Sequence, residues 1–233
     1  MKDSRSEFLF LMAASISCGI LLLIRIIYWQ QIDLDLADLS THGILKNKGK
    51  TFLFLIWNLF LAWIPYMISY FLPWFDKMAG RKFRLLTGLL LIVWLLFFPN
   101  APYIITDLLH LKPRPAVPLW FDLILLLSFA WVGLLFGIFS LLHIQKWVQI
   151  RFNKNYDSIL AVTLIPLCSL GVYLGRFLRW NSWEVFTQPQ ILLADLYYLI
   201  TDMDALSTAM ATIGCFSLLL FLFYLPFKTL QKK

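Results

Sequence analysis

Charge is scarce in this sequence: only 14% of its 233 residues are Asp, Glu, Lys or Arg, against about 25% in an ordinary soluble domain. That shortage excludes a disordered chain, which depends on charge and low hydrophobicity, and a water-soluble globule. Cysteine is sparse as well. Cys18, Cys168 and Cys215 each lie inside an apolar run, where a thiol behaves as a small hydrophobe, so no disulfide framework is implied. No Gly-rich phosphate loop, nucleophile elbow, His-Glu-x-x-His or Cys-x-x-Cys occurs, so no familiar enzyme or cofactor is announced. What is abundant is apolar surface: 61% hydrophobic and 17% aromatic residues. The class this leaves is a polytopic membrane protein whose partner is the lipid bilayer. The formal charge of +7 does not point to nucleic acid, which needs a basic face on a soluble surface.

Polar flanks delimit about six spans, at residues 8–29, 51–72, 85–111, 119–142, 158–178 and 205–227. The expected fold is therefore all-α, a helical bundle forming a single transmembrane domain over residues 1–233. Five spans have the ~20 residues that cross about 30 Å of hydrocarbon. The third meets Pro99-Asn100-Ala101-Pro102, which must break or kink it at or just inside the membrane surface. After Pro189, the run 190–203 mixes aliphatic residues with Asp195 and Asp202. It reads as an amphipathic helix at the outer interface, with a lid over the polar region as an alternative. The first apolar stretch is too long for a signal-peptide core and reads as an uncleaved span.

The distribution of Lys and Arg predicts an N-in, C-in topology. The inner side then collects twelve cations against four acids, and the outer side eight against nine. Arg25 counts as outer because it sits one turn from Trp29 and can snorkel. Gly133/Gly137 and Gly171/Gly175 are small-xxx-small pairs that allow close packing. Antiparallel threading predicts that they do not face each other, with the first in the inner half and the second in the outer. Asn58 reads as a mid-span amide bonded to a neighbouring helix. Asp33, Asp35 and Asp38 lack the glycine and closing glutamate of a calcium loop and read as solvated acids.

Outer polar residues cluster in two stretches, 100–122 and 176–204. Asp107 and His110 are spaced i, i+3 and share a helix face, with Asp122 at similar depth. This set can share a proton or, less readily with one imidazole, hold a divalent metal; the plainer reading makes Asp107 a helix cap. Arg176 and Arg179 again share a face. Arg176 lies deeper and is expected to pair with Asp122 or Asp107, or to hold the phosphate or carboxylate of a ligand. Trp180 and Trp183 read as interfacial anchors. Asn100, Asp107, His110, Asp122, Arg176, Arg179, Asn181 and Trp183 are thus the candidate ligand-binding residues.

The strings Phe98-Pro99-Asn100-Ala101-Pro102-Tyr103-Ile104-Ile105-Thr106-Asp107-Leu108-Leu109-His110-Leu111, Trp120-Phe121-Asp122 and Gly175-Arg176-Phe177-Leu178-Arg179-Trp180-Asn181-Ser182-Trp183 resemble a bacterial family of multi-pass membrane proteins. It is catalogued as domain of unknown function thirteen sixty-one, and the resemblance runs from about Trp57 to Pro189. It implies a bacterial plasma-membrane protein of several spans and assigns no activity.

Three functions fit these residues. The first is binding or transport of a small anionic ligand at an extracytoplasmic polar cup, which predicts a polar path running on toward Asn58. The second is a membrane-embedded enzyme acting on a lipid-linked or cell-envelope substrate, with Asp107 or His110 as general base. The third is a structural or assembly role in which the polar cluster only locks helix ends. The composition is silent on oligomeric state.

Overall fold

The computed structural model describes residues 2–37, 52–77, 81–114 and 117–230, with side chains from 4–27, 52–77, 85–114 and 117–230. Asp33, Asp35 and Asp38 fall outside the described side chains. The regular structure of the described residues is all helical, with no β-strand beyond one isolated bridge, Arg114 to Val117. In chain order the helices are α1 (Lys2–Ala37), α2 (Phe54–Lys77), α3 (Arg81–Phe97), α4 (Asn100–Tyr103), a 3-10 stretch (Ile104–His110), α5 (Leu119–Phe152), α6 (Asp157–Phe177), α7 (Glu184–Thr187), α8 (Pro189–Thr201) and α9 (Met203–Leu230).

Six segments are long and apolar enough to cross a bilayer: Ser4–Ile27, Phe54–Lys77, Leu85–His110, Leu119–Phe152, Asp157–Phe177 and Met203–Leu230. The protein is thus an all-α polytopic bundle. The main difference from the sequence expectation is α5, which continues past residue 142 to Phe152. Helix α5 is the hub: 67% of its apolar window is buried, against 17–39% for the other spans. One stripe of α5 carries Asp122, Leu125, Phe129, Val132, Phe136, Ser140 and His143 at helical spacing, polar at its two ends and apolar between. Helix α1 divides its faces in the same way. It buries Leu11, Cys18, Leu22 and Arg25 and exposes Ile16, Ile20, Leu23 and Ile27, the stripe that lipid would cover.

The third span breaks at the expected prolines, but deeper than a surface position. Pro99 and Pro102 each lack the N–H that a continuing helix would need. The Ala101 N–H turns to the Phe98 carbonyl at 3.3 Å, and the Asn100 side-chain amide donates in its place to the Phe97 carbonyl at 3.1 Å. The break abuts Gly133 and Gly137, which lie about 21 and 27 Å along α5 from its start. A Cβ on Gly133 would come within 2.6 Å of the Ala101 carbonyl oxygen, and one on Gly137 would touch the Pro102 ring and Ala101. On the other side, a Cβ on Gly171 would collide with the Pro99 ring, and Gly175 faces the Tyr103 ring. Both glycine pairs therefore grip the same short segment from two sides. The expectation that they sit in opposite halves is corrected because α4 is wedged between α5 and α6.

Two further links tie the spans internally. Trp94 Nε1 donates to Ser140 Oγ at 2.7 Å, and Ser140 Oγ donates to the Pro65 carbonyl at 3.0 Å, joining α3, α5 and α2. At the end carrying the N-terminus, Lys228 Nζ is 2.6 Å from Asp157 Oδ2, and Gln145 Nε2 donates to the Asp157 carbonyl at 3.0 Å. That end also holds Lys77, Lys146, Arg151 and Lys154, and is called the basic end below. The opposite end, carrying residues 104–114 and 176–190, is the cup end.

Candidate functional site

The chain after the proline break runs as a seven-residue 3-10 helix, longer than the usual three or four residues of that geometry. Three residues per turn eclipse positions i and i+3, so Asp107 and His110 lie on one edge. Asp107 is buried, 1% exposed, and is not a helix cap. Its Oδ2 accepts a hydrogen bond from Asn58 Nδ2 at 2.8 Å. Its Oδ1 lies 3.9 Å from both His110 Nδ1 and Arg176 Nη1. Asn58 is only in the second turn of α2, near the cup end, and not at mid-span.

Arg176 closes the last turn of α6. At Leu178 the helix ends, and Arg179 takes a left-handed backbone conformation with φ 62°, uncommon for a residue with a Cβ. This turn is held by the Trp180 amide, which donates back to the Leu174 carbonyl at 3.1 Å. The Trp180 indole donates to Asp195 Oδ2 at 2.8 Å, anchoring α8. As a result Tyr103, His110, Gly175, Arg176, Arg179 and Asn181 line a cavity of about 490 Å³. No carboxylate pairs with Arg179 among the described residues. At 3.9 Å, Asp107 attracts Arg176 without forming a good hydrogen bond to it. His110 Nδ1 is buried without a hydrogen-bond partner among the described residues.

Asp122 is elsewhere. Its Oδ1 pairs with Arg25 Nε at 2.7 Å and its Oδ2 with Arg114 Nη1 at 2.6 Å. Both guanidinium carbons sit 4.6 Å from the Phe52 ring centroid, so Phe52 is flanked by two cations. Of the two carboxylates expected for Arg176, Asp107 is the one beside it, at 3.9 Å, and Asp122 is corrected, because two arginines already occupy it. Arg25 does not snorkel free; it is buried, 8% exposed, and turned inward. Asn100 is likewise outside the cavity of Arg176, donating to Ser182 Oγ at 2.9 Å. Trp183 is exposed and does not line it. Asn181 takes part while its amide also donates to Glu184 Oε2 at 3.0 Å.

Among the described residues no group of three or more His, Cys, Asp or Glu is placed to hold a metal ion. The expected path toward Asn58 is present in part: a neighbouring cavity of about 320 Å³ shares Tyr103, Gly175 and Asn181 with the cup and is lined also by Asn58, Asn100 and Ser182, with Leu61, Leu95, Leu167 and Leu170 among its apolar walls. The Asn58 amide donates to Asp107, and the buried residues packed in the core of this end are Leu59, Ala62, Ile104, Leu125, Phe129 and Phe136. Helix α8 exposes Ile191, Leu193, Tyr197, Tyr198 and Ile200. None of its residues lines the Arg176 cavity, so it does not act as a lid there.

Sequence reasoning missed Arg25, Arg114 and Phe52 as one unit, and Tyr103 as a wall of the cavity. Arg25 carried a signal, being a cation inside an apolar run.

Fold and burial define the class: a polytopic α-helical membrane protein with a polar, arginine-lined cavity at one end. The chain belongs to the family described as "Protein of unknown function (DUF1361)", whose model matches residues 57–223. That match extends past the 57–189 stretch of the resemblance and into α9. No curated protein and no solved structure matches the chain.

Proposed function

We propose that this protein binds a small anionic group at the cup, with Arg176 and Arg179 as the charged contacts and His110 and Asn181 completing the wall. The observation that carries this reading is a cavity of about 490 Å³ lined by two guanidiniums: Asp107, shared with Asn58, stands off Arg176 at 3.9 Å, and no carboxylate pairs with Arg179 among the described residues. Planar guanidiniums pair bidentately with phosphate or carboxylate, and a ligand oxygen would also satisfy His110. The buried apolar layer below the cup supports binding over translocation. We place the cup on the extracytoplasmic side of a bacterial plasma membrane. That placement rests on the family resemblance and on Lys77, Lys146, Arg151, Lys154 and Lys228 gathering at the other end.

The test is thermal stability of the purified Lys146→Gln protein, which lacks a cation of the basic end, in detergent with added inorganic phosphate or acetate. Each anion that fits raises Tm in that protein and not when Arg179→Gln is added to it. No shift with either anion, or equal shifts in the double variant, overturns the reading.

A second arrangement is favoured by one distance. Asp107 and His110 approach to 3.9 Å beside the cavity, which keeps an acid–base role on a bound envelope ester chemically available.

A further inference from the structure

A second cavity, larger than the cup, is at the basic end, between α2 and α5. It has a volume of about 650 Å³. Helical spacing builds its walls: Ser69, Tyr70, Pro73, Trp74 and Lys77 recur on one face of α2, and His143, Lys146, Trp147 and Ile150 on one face of α5. Three cations, Lys77, Lys146 and Arg151, face one acid, Asp76. Arg151 Nε is 3.7 Å from Asp76 Oδ2, a loose contact across the mouth.

Two features make this more than a basic surface. Trp147 is 8% exposed, and its buried indole N–H has no acceptor among the described residues. An orphaned donor in such a place costs about 1–3 kcal/mol if nothing fills it. His143, also in the lining, is held from behind, with its Nε2 3.1 Å from Glu7 Oε1 and its Nδ1 3.4 Å from Ser69 Oγ. The cavity thus offers surplus positive charge beside a tryptophan wall, one of whose indoles carries a buried, unpartnered N–H. The lining has the two chemistries of an amphiphile, donors and cations for an anion and Trp74, Trp147 and Ile150 for a hydrocarbon stem.

We infer that this cavity binds a phosphate ester, its oxygens taken by the Trp147 N–H, Lys146 and Lys77, with any attached glycerol or chain lying against Trp74 and Ile150. The ester is carried by a lipid of the adjoining leaflet or by a soluble molecule; the shared recognition chemistry is the phosphate.

The experiment uses the full chain in nanodiscs of phosphatidylcholine alone or with phosphatidylglycerol, and separately in detergent with glycerol 1-phosphate. Thermal stability and tryptophan fluorescence are read for wild type, Arg179→Gln, and Arg179→Gln combined with either Lys146→Gln or Trp147→Phe. Lys146 is exposed, so its replacement leaves the fold intact, and Trp147→Phe keeps the ring while deleting the donor. Stabilisation by the anionic lipid alone, or by both ligands, supports the inference and identifies the source. The expected weakening is about tenfold when Lys146→Gln or Trp147→Phe is added to Arg179→Gln, which disables the cup and keeps the response of the basic end. No response to either ligand, or a response equal in the combined variants to that of Arg179→Gln, overturns it. A response lost in Arg179→Gln alone also overturns it, since binding then belongs to the cup.

Discussion

Arg25 and Asp122 meet across 97 residues of sequence, with Nε to Oδ1 at 2.7 Å and both side chains buried. Eighteen residues earlier in α1, Glu7 Oε1 meets His143 Nε2 of α5 at 3.1 Å. At about 1.5 Å per residue these contacts are roughly 27 Å apart along α1 and 31 Å along α5, close to the thickness of a hydrocarbon core. Helix α1 is therefore fastened to the hub at both membrane surfaces, with packing of Leu11, Cys18 and Leu22 between.

This fastening predicts strong coupling. Asp122→Ala leaves Arg25 and Arg114 beside Phe52 with no counter-charge and costs about 3–5 kcal/mol, the range for breaking a buried pair. Adding Arg25→Leu to Asp122→Ala costs less than the sum of the single changes. Unfolding in mixed micelles with denaturing detergent measures both; additive losses would rule out the coupling.

The glycines separate by position. Gly171→Ala and Gly133→Ala drive a methyl into the Pro99 ring and the Ala101 carbonyl, costing about 1–3 kcal/mol as overpacking does. Gly19, Gly88 and Gly214 have nothing within 4 Å of an added Cβ. Alanine there is neutral or stabilises by up to about 1 kcal/mol through helix propensity. Tm values of the five variants test the contrast.

Asp107 restrains Arg176. Asp107→Asn keeps a side chain able to bond Asn58 but removes the negative charge near the guanidinium. Anion affinity at the cup then rises about fivefold, equivalent to about 1 kcal/mol for a partly exposed pair. Titration calorimetry with phosphate reads it, and an unchanged or weaker affinity counts against the role given to Arg176.

Asp202 opens α9. Its Oδ1 accepts the amide N–H groups of Asp204 at 3.1 Å and Ala205 at 2.9 Å. The Ala205 bond first, then the Tyr198 hydroxyl and the Asp204 bond, hold its carboxyl below the ordinary value of 3.8. With the folded pKa depressed, the stabilisation is present above the unfolded value and is lost as pH falls through the folded one. The Tm difference between wild type and Asp202→Ala therefore shrinks between about pH 6 and about pH 3; a difference that grows on acidification contradicts the assignment.

Span positions, the proline break and the α8 segment were all legible in the sequence, because hydropathy and proline act locally. Which residues pair was not. Hydropathy gives the depth of Arg25 but not the azimuth of its helix, so Arg25 was placed at the right level and given water in place of Asp122. Asp122 stood beside Asp107 as a possible partner of Arg176 for the same reason, since depth alone permits both while the turn of α5 sends Asp122 toward α1. The i, i+3 spacing of Asp107 with His110 carried more, since such a pair shares an edge in a 3-10 or an α-helix alike. Arg179 lies past the end of α6, and its left-handed turn rather than a shared helix face brings it to the cavity of Arg176 and His110. Tyr103 was hidden because its place depends on Gly175 admitting its ring.

The most direct measurement is titration calorimetry of inorganic phosphate against the protein carrying Lys146→Gln and Trp147→Phe, which together weaken the cavity at the basic end, with and without Arg176→Gln and Arg179→Gln together. The account predicts one saturable site that weakens by at least about tenfold when both arginines are neutralised. Phosphate binding that is absent with both arginines in place, or unchanged without them, would contradict it and leave the cluster as a lock on three helix ends.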